Sequence, residues 1–273
     1  METSAAIIEL GGWLKTPPGQ VLLAWEQARI DRAVADIFGY HAMQIGLPEI
    51  EGLRANRMPH RWLAGDRPDA PPPEPFAPPC EPGLTTTPLK SAVALHCDAE
   101  ALPFPSSSLD LVVMPHTLEL AQDPHVALSE AARVLVPEGR LVITGFNPAS
   151  LWALRQRLGR TAHGLRVGDE RLFLPSEGEF IGYWRLRDWL RLLSFDIELG
   201  RFGCWRPPWN SQKWLDRFRW IEPVGERWWP VLGAVYVLVA VRRVHGMRLV
   251  GRIKRRRVAA GAAPAVATNH RRR

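Results

Sequence analysis

The sequence predicts an α/β protein built on an open, mostly parallel sheet flanked by helices. Three observations lead there. Between residues 92 and 144, short apolar runs alternate with one amphipathic helical pattern, strand then helix then strand. That rhythm belongs to parallel strands joined by right-handed crossovers. Strand and helix signals keep alternating on either side of this stretch, with at least six strands in all. The 273 residues are 46% hydrophobic and 23% charged, enough to bury a sizeable core and to exclude wholesale disorder.

The elements follow in order. Thr16-Pro17 opens a helix, with Thr suited to the cap and Pro to the first turn. Val21, Leu22, Trp25, Ile30, Val34 and Ile37 then recur at helical spacing up to Gly39. His41-Ala42-Met43-Gln44-Ile45 reads as a strand that ends in the turn Gly46-Leu47-Pro48, and Trp62 to Asp66 reads as a second strand. The segment from Ala92 to Cys97 is a third and Leu109 to Met114 a fourth. Asp123-Pro124 caps a helix whose apolar face is Ala127, Leu128, Ala131, Val134 and Leu135. Pro137-Glu138-Gly139 turns the chain into the strand Arg140–Thr144. Trp184 to Leu193 is an amphipathic helix, Phe195 to Phe202 a strand, and Ala234 to Val241 the last strand.

Residues 1–39 therefore form an N-terminal helical lead and 40–243 an α/β domain, followed by a basic tail over 244–273. Within the domain, residues 67–90 hold nine prolines, a density that blocks helix and ladder alike and predicts an irregular loop. Residues 203–229 are dense in Trp and Pro.

The net charge of +7 is unevenly placed. From Arg242 to Arg273 there are eleven Lys and Arg and no acid, so the rest of the chain carries −4. A mildly acidic body is no broad nucleic-acid platform. The tail, read as disordered and solubilising, could touch nucleic acid or anionic lipid loosely. Cys80, Cys97 and Cys204 are odd in number and lack paired spacing, which argues against a disulfide framework or a metal site and for a reducing, cytoplasmic setting. The start of the chain lacks a signal-peptide layout. The longest apolar run, Pro230–Val241, has 12 residues, against about 20 for a membrane-spanning helix, and reads as a buried strand.

In an open parallel sheet, ligands bind beyond the carboxyl ends of the strands. The residues there are Gly46-Leu47-Pro48, Asp66, Asp98-Ala99-Glu100 and Pro115-His116-Thr117. At these positions the chain resembles class I S-adenosylmethionine-dependent methyltransferases, in particular the ubiquinone and menaquinone branch. The likeness runs from Cys97-Asp98-Ala99-Glu100-Ala101-Leu102-Pro103-Phe104 through Ser108-Leu109-Asp110-Leu111-Val112. It continues over the Asp123-Pro124 helix to Arg133-Val134-Leu135-Val136-Pro137-Glu138-Gly139.

The resemblance implies a Rossmann-like sheet whose last strand is antiparallel, S-adenosylmethionine as cofactor, and a small-molecule methyl acceptor. It implies that Asp98 accepts a hydrogen bond from the adenine amino group and that the Ala99 N–H meets a ring nitrogen. Asp66, 20 residues beyond Gly46, would take the ribose hydroxyls. The first loop departs from the family's Asp/Glu-x-Gly-x-Gly-x-Gly. Gln44 stands for the acid, Gly46 survives, and Pro48 and Ile50 replace the next two glycines. Gln44 and Gly46 complete the cofactor-binding candidates. His116 is the first candidate for a general base, ahead of Glu119 and Tyr183.

The altered loop keeps a second function class in view, a methyltransferase-fold interaction module that has lost the cofactor. It would fill the cleft with Leu47, Pro48 or Ile50. A nucleic-acid methyltransferase guided by the tail is a third. Nine of the 12 Trp fall between Trp152 and Trp229. They are read as core beneath loops, with an aromatic pocket of Trp205, Trp209 and Trp214 and an interfacial surface as alternatives.

Overall fold

The structure, a computed structural model, describes residues 9–65, 94–164, 173–175 and 178–244. Asp66, the proline-rich loop 67–90 and the basic tail from residue 245 lie outside the described residues.

After helical residues 9–13 comes helix α1, Pro17–Val34, with Thr16 as its cap accepting from Gly19 N. Strand β1 is His41–Ile45, β2 His60–Gly65, β3 Leu95–His96 and β4 Leu109–Pro115. A single turn of helix, α2 (Thr117–Leu120), leads to α3, Pro124–Val134, capped by the Asp123 carboxylate on the N–H groups of His125 and Val126. Then come β5 (Leu135–Phe146), α4 (Leu151–Gly164), α5 (Tyr183–Leu192) and β6 (Phe195–Gly203). The chain closes with α6 (Gln212–Arg217), α7 (Ile221–Trp228), a 3-10 turn at Pro230–Leu232 and β7 (Val235–Arg242).

These seven strands form one sheet in the order β3-β2-β1-β4-β5-β7-β6. β7 runs antiparallel to both neighbours and all other pairs described are parallel. The open α/β class and the antiparallel last strand stand as expected.

Side-chain alternation builds two cores, one on each face. Along β1, Ala42 joins Leu22, Ile30 and Val34 of α1, together with Trp152 of α4. Met43 and Ile45 join Leu128 and Ala131 of α3 and Leu186 and Leu190 of α5. The lead is thus part of the sheet's packing. β7 is buried along seven consecutive residues, so the later part of the longest apolar run is a buried strand flanked on both sides, whereas its first residues, Pro230–Leu232, form an exposed 3-10 turn. Among the described residues no helix is long and apolar enough to cross a membrane.

Three findings differ from the sequence analysis: two expectations are corrected and one helix, α4, is not foreseen there. Pro137-Glu138-Gly139 is not a turn ahead of the strand but lies inside β5. Leu109 pairs with Leu135 and Leu111 already with Arg140, so residues 136–139 bulge, with Glu138 at φ +66. Second, α4 carries no clean helical stripe: Trp152 and Gln156 are buried while Leu151, Leu154 and Leu158 are exposed, and apolar residues on two faces hide the period. Third, the Trp-rich segment is only partly core. Trp152 and Trp205 are buried, but Trp184, Trp209, Trp214, Trp220, Trp228 and Trp229 are exposed by 38–70%.

Candidate functional site

Strand order reverses between β1 and β4, and a cleft opens there at the carboxyl ends of the strands. Its described walls are Ile45, Gly46 and Leu47 after β1, Cys97, Asp98 and Ala99 after β3, and Pro115, Thr117, Leu120 and Ala121 after β4. This is where an open α/β sheet binds ligands. The enclosed part measures about 30 Å³, rising to about 400 Å³ with its open mouth. Small-molecule sites run at roughly 300–1,000 Å³, so the cleft as it stands, with about 30 Å³ of cavity, is too narrow for a nucleoside, and the larger figure counts open solvent at its mouth.

Gly46 turns the chain out of β1 at φ +79, in the left-handed region that glycine enters without cost. Its N–H donates to Ala64 O at 2.8 Å. A side chain here would bring its Cβ within 3.1 Å of the Thr117 hydroxyl, which itself donates to Ile45 O at 2.7 Å.

Gln44 lies under this turn rather than in the cleft. Its amide donates to Leu47 O at 2.9 Å and Ile50 O at 2.6 Å, and its oxygen accepts from Gly52 N at 2.8 Å. An amide can do both, where a carboxylate could only accept. Gln44 therefore holds loop 46–52 in shape, and its buried polar groups are satisfied by backbone. Leu47 and Ile50 are fully buried in the core beneath α1, so Ile50 is drawn away from the cleft and Leu47 forms part of its wall.

Asp98 is exposed at the cleft and its carboxylate accepts from Glu100 N at 3.0 Å. The loop that carries it is braced by α3. Arg133 donates to Leu102 O at 2.9 Å and Phe104 O at 2.8 Å, and the Glu130 carboxylate accepts from Leu102 N at 3.2 Å. The two side chains also pair with each other at 2.8 Å. That mutual hydrogen bonding lowers the Glu130 carboxyl below its usual range and raises the guanidinium of Arg133.

His116 lies just past β4 as expected, but it is turned inward, away from the cleft. It sits at φ +52 between β4 and α2, fully buried. Its Nδ1 lies 2.8 Å from Glu119 Oε2 and its Nε2 lies 2.9 Å from Glu26 Oε1 of α1. Burial alone would lower the imidazole pKa, but the Glu26 charge and the hydrogen bonds to both carboxylates outweigh it and raise it to about 10. Burial raises the Glu119 carboxyl, against the opposing pull of His116. Glu119 Oε1 also accepts from Phe146 N at 2.5 Å.

An imidazole that holds its proton and has both nitrogens engaged is no general base as it stands. Its visible effect is to tie α1 to the end of β4, beside the cleft residues Pro115 and Thr117. Glu119 is committed to the same cluster. Tyr183 packs on Phe202 and Tyr236, with ring centroids 5.0 and 5.9 Å apart.

The cleft thus brings together Gly46, Asp98 and Ala99. Gln44 and His116 lie behind its walls, and Asp66 falls outside the described residues. The sequence reading missed Glu26, which the helical spacing of Leu22, Glu26 and Ile30 places on the buried stripe of α1; a carboxylate there signals a buried partner. It placed Thr117 at the strand ends without assigning it a role; the Thr117 hydroxyl closes the Gly46 turn. Among the described residues no group of His, Cys, Asp and Glu is placed to hold a metal ion.

Comparison with known proteins bears on this cleft. Residues 83–143 match the family described as methyltransferase domain. The chain is similar to the Escherichia coli (strain K12) protein YafS, with 34% identity over 154 residues, 55% of either chain. Over 54 residues it is 44% identical to the ubiquinone/menaquinone biosynthesis C-methyltransferase UbiE of Paraburkholderia phytofirmans, covering 20% of this chain and 22% of that one. The chain thus spans about half the length of YafS and under a quarter of UbiE. In three dimensions it resembles a SAM-dependent methyltransferase from Archaeoglobus fulgidus, with a TM-score of 0.50, 18% identity, and 80% of this chain and 94% of that one covered.

Proposed function

We propose that this chain is a class I S-adenosylmethionine-dependent methyltransferase and transfers a methyl group to a small-molecule acceptor in the cytoplasm, a reading supported by the methyltransferase domain matched over residues 83–143. The observation that carries the reading is the cleft at the β1–β4 switch point, with Asp98, Ala99 and Gly46 on its walls. The donor set suits the adenosine end of the cofactor. The Asp98 carboxylate accepts from an exocyclic amino group, the Ala99 N–H meets a ring nitrogen, and Gly46 keeps a side chain out of the approach. Asp66, next after β2, would hold the ribose hydroxyls.

When bound, the cofactor supplies a methyl group already activated by its positive sulfur. The residues of this chain then have little chemistry left to do beyond holding the acceptor in line and keeping water out. His116 keeps its proton in this reading and acts through position: with Glu26 and Glu119 it fixes α1 against the wall formed by Pro115 and Thr117. The family name of UbiE makes a quinol-type ring the first acceptor to assay.

Calorimetric titration with S-adenosylmethionine and with its demethylated product tests the reading. Saturable binding is expected, weakened about ten-fold or more in Asp98→Ala through loss of a charge-assisted hydrogen bond. A second reading, an interaction module without cofactor, draws on the narrow enclosed cleft and on Pro48 and Ile50 in place of glycines. Absence of binding by either ligand at millimolar concentration would favour it.

A further inference from the structure

The exposed tryptophans are not scattered. Trp209, Trp214 and Phe218 form one cluster, with ring centroids 5.0 to 6.2 Å apart. Arg155 of α4 donates to Pro208 O, so this cluster abuts the outer face of α4. That face presents Leu151, Leu154 and Leu158, exposed by 52–61%. The second group, Trp228, Trp229, Val231 and Leu232, is exposed by 40–70%. It is pinned to the same region by the Asn147 amide, which donates to Val231 O at 2.6 Å, and by Trp205 Nε1, which donates to Trp229 O at 2.9 Å. Buried Trp152 donates to Arg206 O at 2.7 Å, locking α4 to the segment from below.

Charge around this face is one-sided. Arg157, Lys213, Arg217, Arg219 and Arg227 are exposed on α4, α6, α7 and the turn between the last two. Of the acids on these elements, Glu222 and Glu226 lie 3.3 Å from Arg206 and Arg29, which leaves Asp216 to face solvent. The Arg217 guanidinium lies over the Trp214 ring, 5.9 Å from its centre. Single exposed apolar residues are ordinary, but two groups of exposed indoles and aliphatic side chains, both fastened to the α4 region, are not. Indole is amphipathic and prefers the boundary between water and hydrocarbon, with arginine at headgroup level.

We propose that the face built by α4, α6 and α7 docks on an anionic lipid bilayer. The indoles and leucines enter the headgroup boundary and the five cations meet lipid phosphates. The cations choose the occupant: a neutral apolar partner would leave them without counter-charge, and a second copy of this face would bring like charges together. The proposal does not depend on methyl transfer.

The test is co-sedimentation of the full chain with phosphatidylcholine vesicles, with or without about one-quarter phosphatidylglycerol. Binding to the anionic vesicles is expected, weakening as salt rises. Trp214→Ser/Trp220→Ser/Trp228→Ser should lose about ten-fold or more of the partitioning while keeping the parental melting midpoint. Arg217→Glu/Arg219→Glu, which leaves the indoles in place, should lose anionic selectivity. Neutralising Arg255, Arg256 and Arg257 in the tail should leave binding largely intact. Three results would overturn the proposal: tryptophan variants that bind like the parent, binding that vanishes with the tail charges alone, or a tryptophan-dependent dimer in sedimentation that binds no vesicle.

Discussion

His116 carries a positive charge where there is no water to solvate it, and the two carboxylates around it make that tolerable. Removing one partner of such a buried group is costly, about 3–5 kcal/mol, because the remainder stays buried without counter-charge. His116→Gln should therefore lose stability on that scale in urea titration. The pH dependence has a definite sign. The folded imidazole keeps its proton up to about pH 10, whereas the unfolded one releases it near 6.5. Between those values the folded state binds the extra proton, so stability is full below about pH 6.5 and falls as pH rises. Burial also raises Cys204 and Tyr236 well above their ordinary values, and those groups act in the same direction only at higher pH. The range between about pH 7 and 8, below the ordinary thiol value of about 8.5, thus isolates the histidine from the thiol and the phenol. Parental stability should decline across it, and His116→Gln should be flatter; equal slopes would mean that the imidazole is not charged in the folded state.

At the scale of the element, α3 acts as a brace for the cleft as well as cover for the sheet. Its cap, Asp123, accepts from His125 N at 2.9 Å, while Asp123 N itself donates to Glu100 Oε1 at 2.6 Å. The helix N-terminus is thereby fastened to the loop that holds Asp98 and Ala99, and Arg133 fastens its other end. Asp123→Ala should cost about 1 kcal/mol, the usual worth of an N-cap, read as a lower thermal midpoint. Arg133→Gln removes the donors to Leu102 O and Phe104 O without touching the cleft. It should weaken cofactor binding about three- to ten-fold, since small losses of position are costly at a site, with little change in melting. An Arg133→Gln chain with parental affinity would reduce the brace to surface decoration.

At the scale of the molecule, the sequence made the sheet legible because its strands obey simple periods. β4 and β7 are largely apolar runs of strand length, and α3 has a clean stripe opened by its Asp123-Pro124 cap. What stayed hidden depended on contacts between distant segments. The bulge at residues 136–139 is set by pairing with β4, α4 shows apolar residues on two faces, and the burial of His116 needs Glu26, 90 positions away. Of the cleft lining, Asp98 and Ala99 were reached through the family resemblance and Gly46 through its place after β1. The inward roles of Gln44 and His116 were not: that of Gln44 depends on loop 46–52 folding back over β1, and that of His116 on a left-handed backbone.

The same dependence decides whether residues 1–39 can be separated from the domain. Leu22, Ile30 and Val34 of α1 are fully buried against the sheet. At about 1.5–3 kcal/mol for each buried side chain, those three alone approach the 5–15 kcal/mol that holds a typical domain folded. Deleting α1 would also remove Glu26 and leave the His116–Glu119 pair open to a cavity. A chain beginning at residue 40 should therefore show no cooperative thermal transition and should bind a hydrophobic dye strongly, while Arg29→Ala, at the helix surface, melts close to the parent. A truncated chain with a sharp transition near the parental midpoint would mean that the sheet is covered without α1, and that the ion pair at His116 contributes far less than its burial implies.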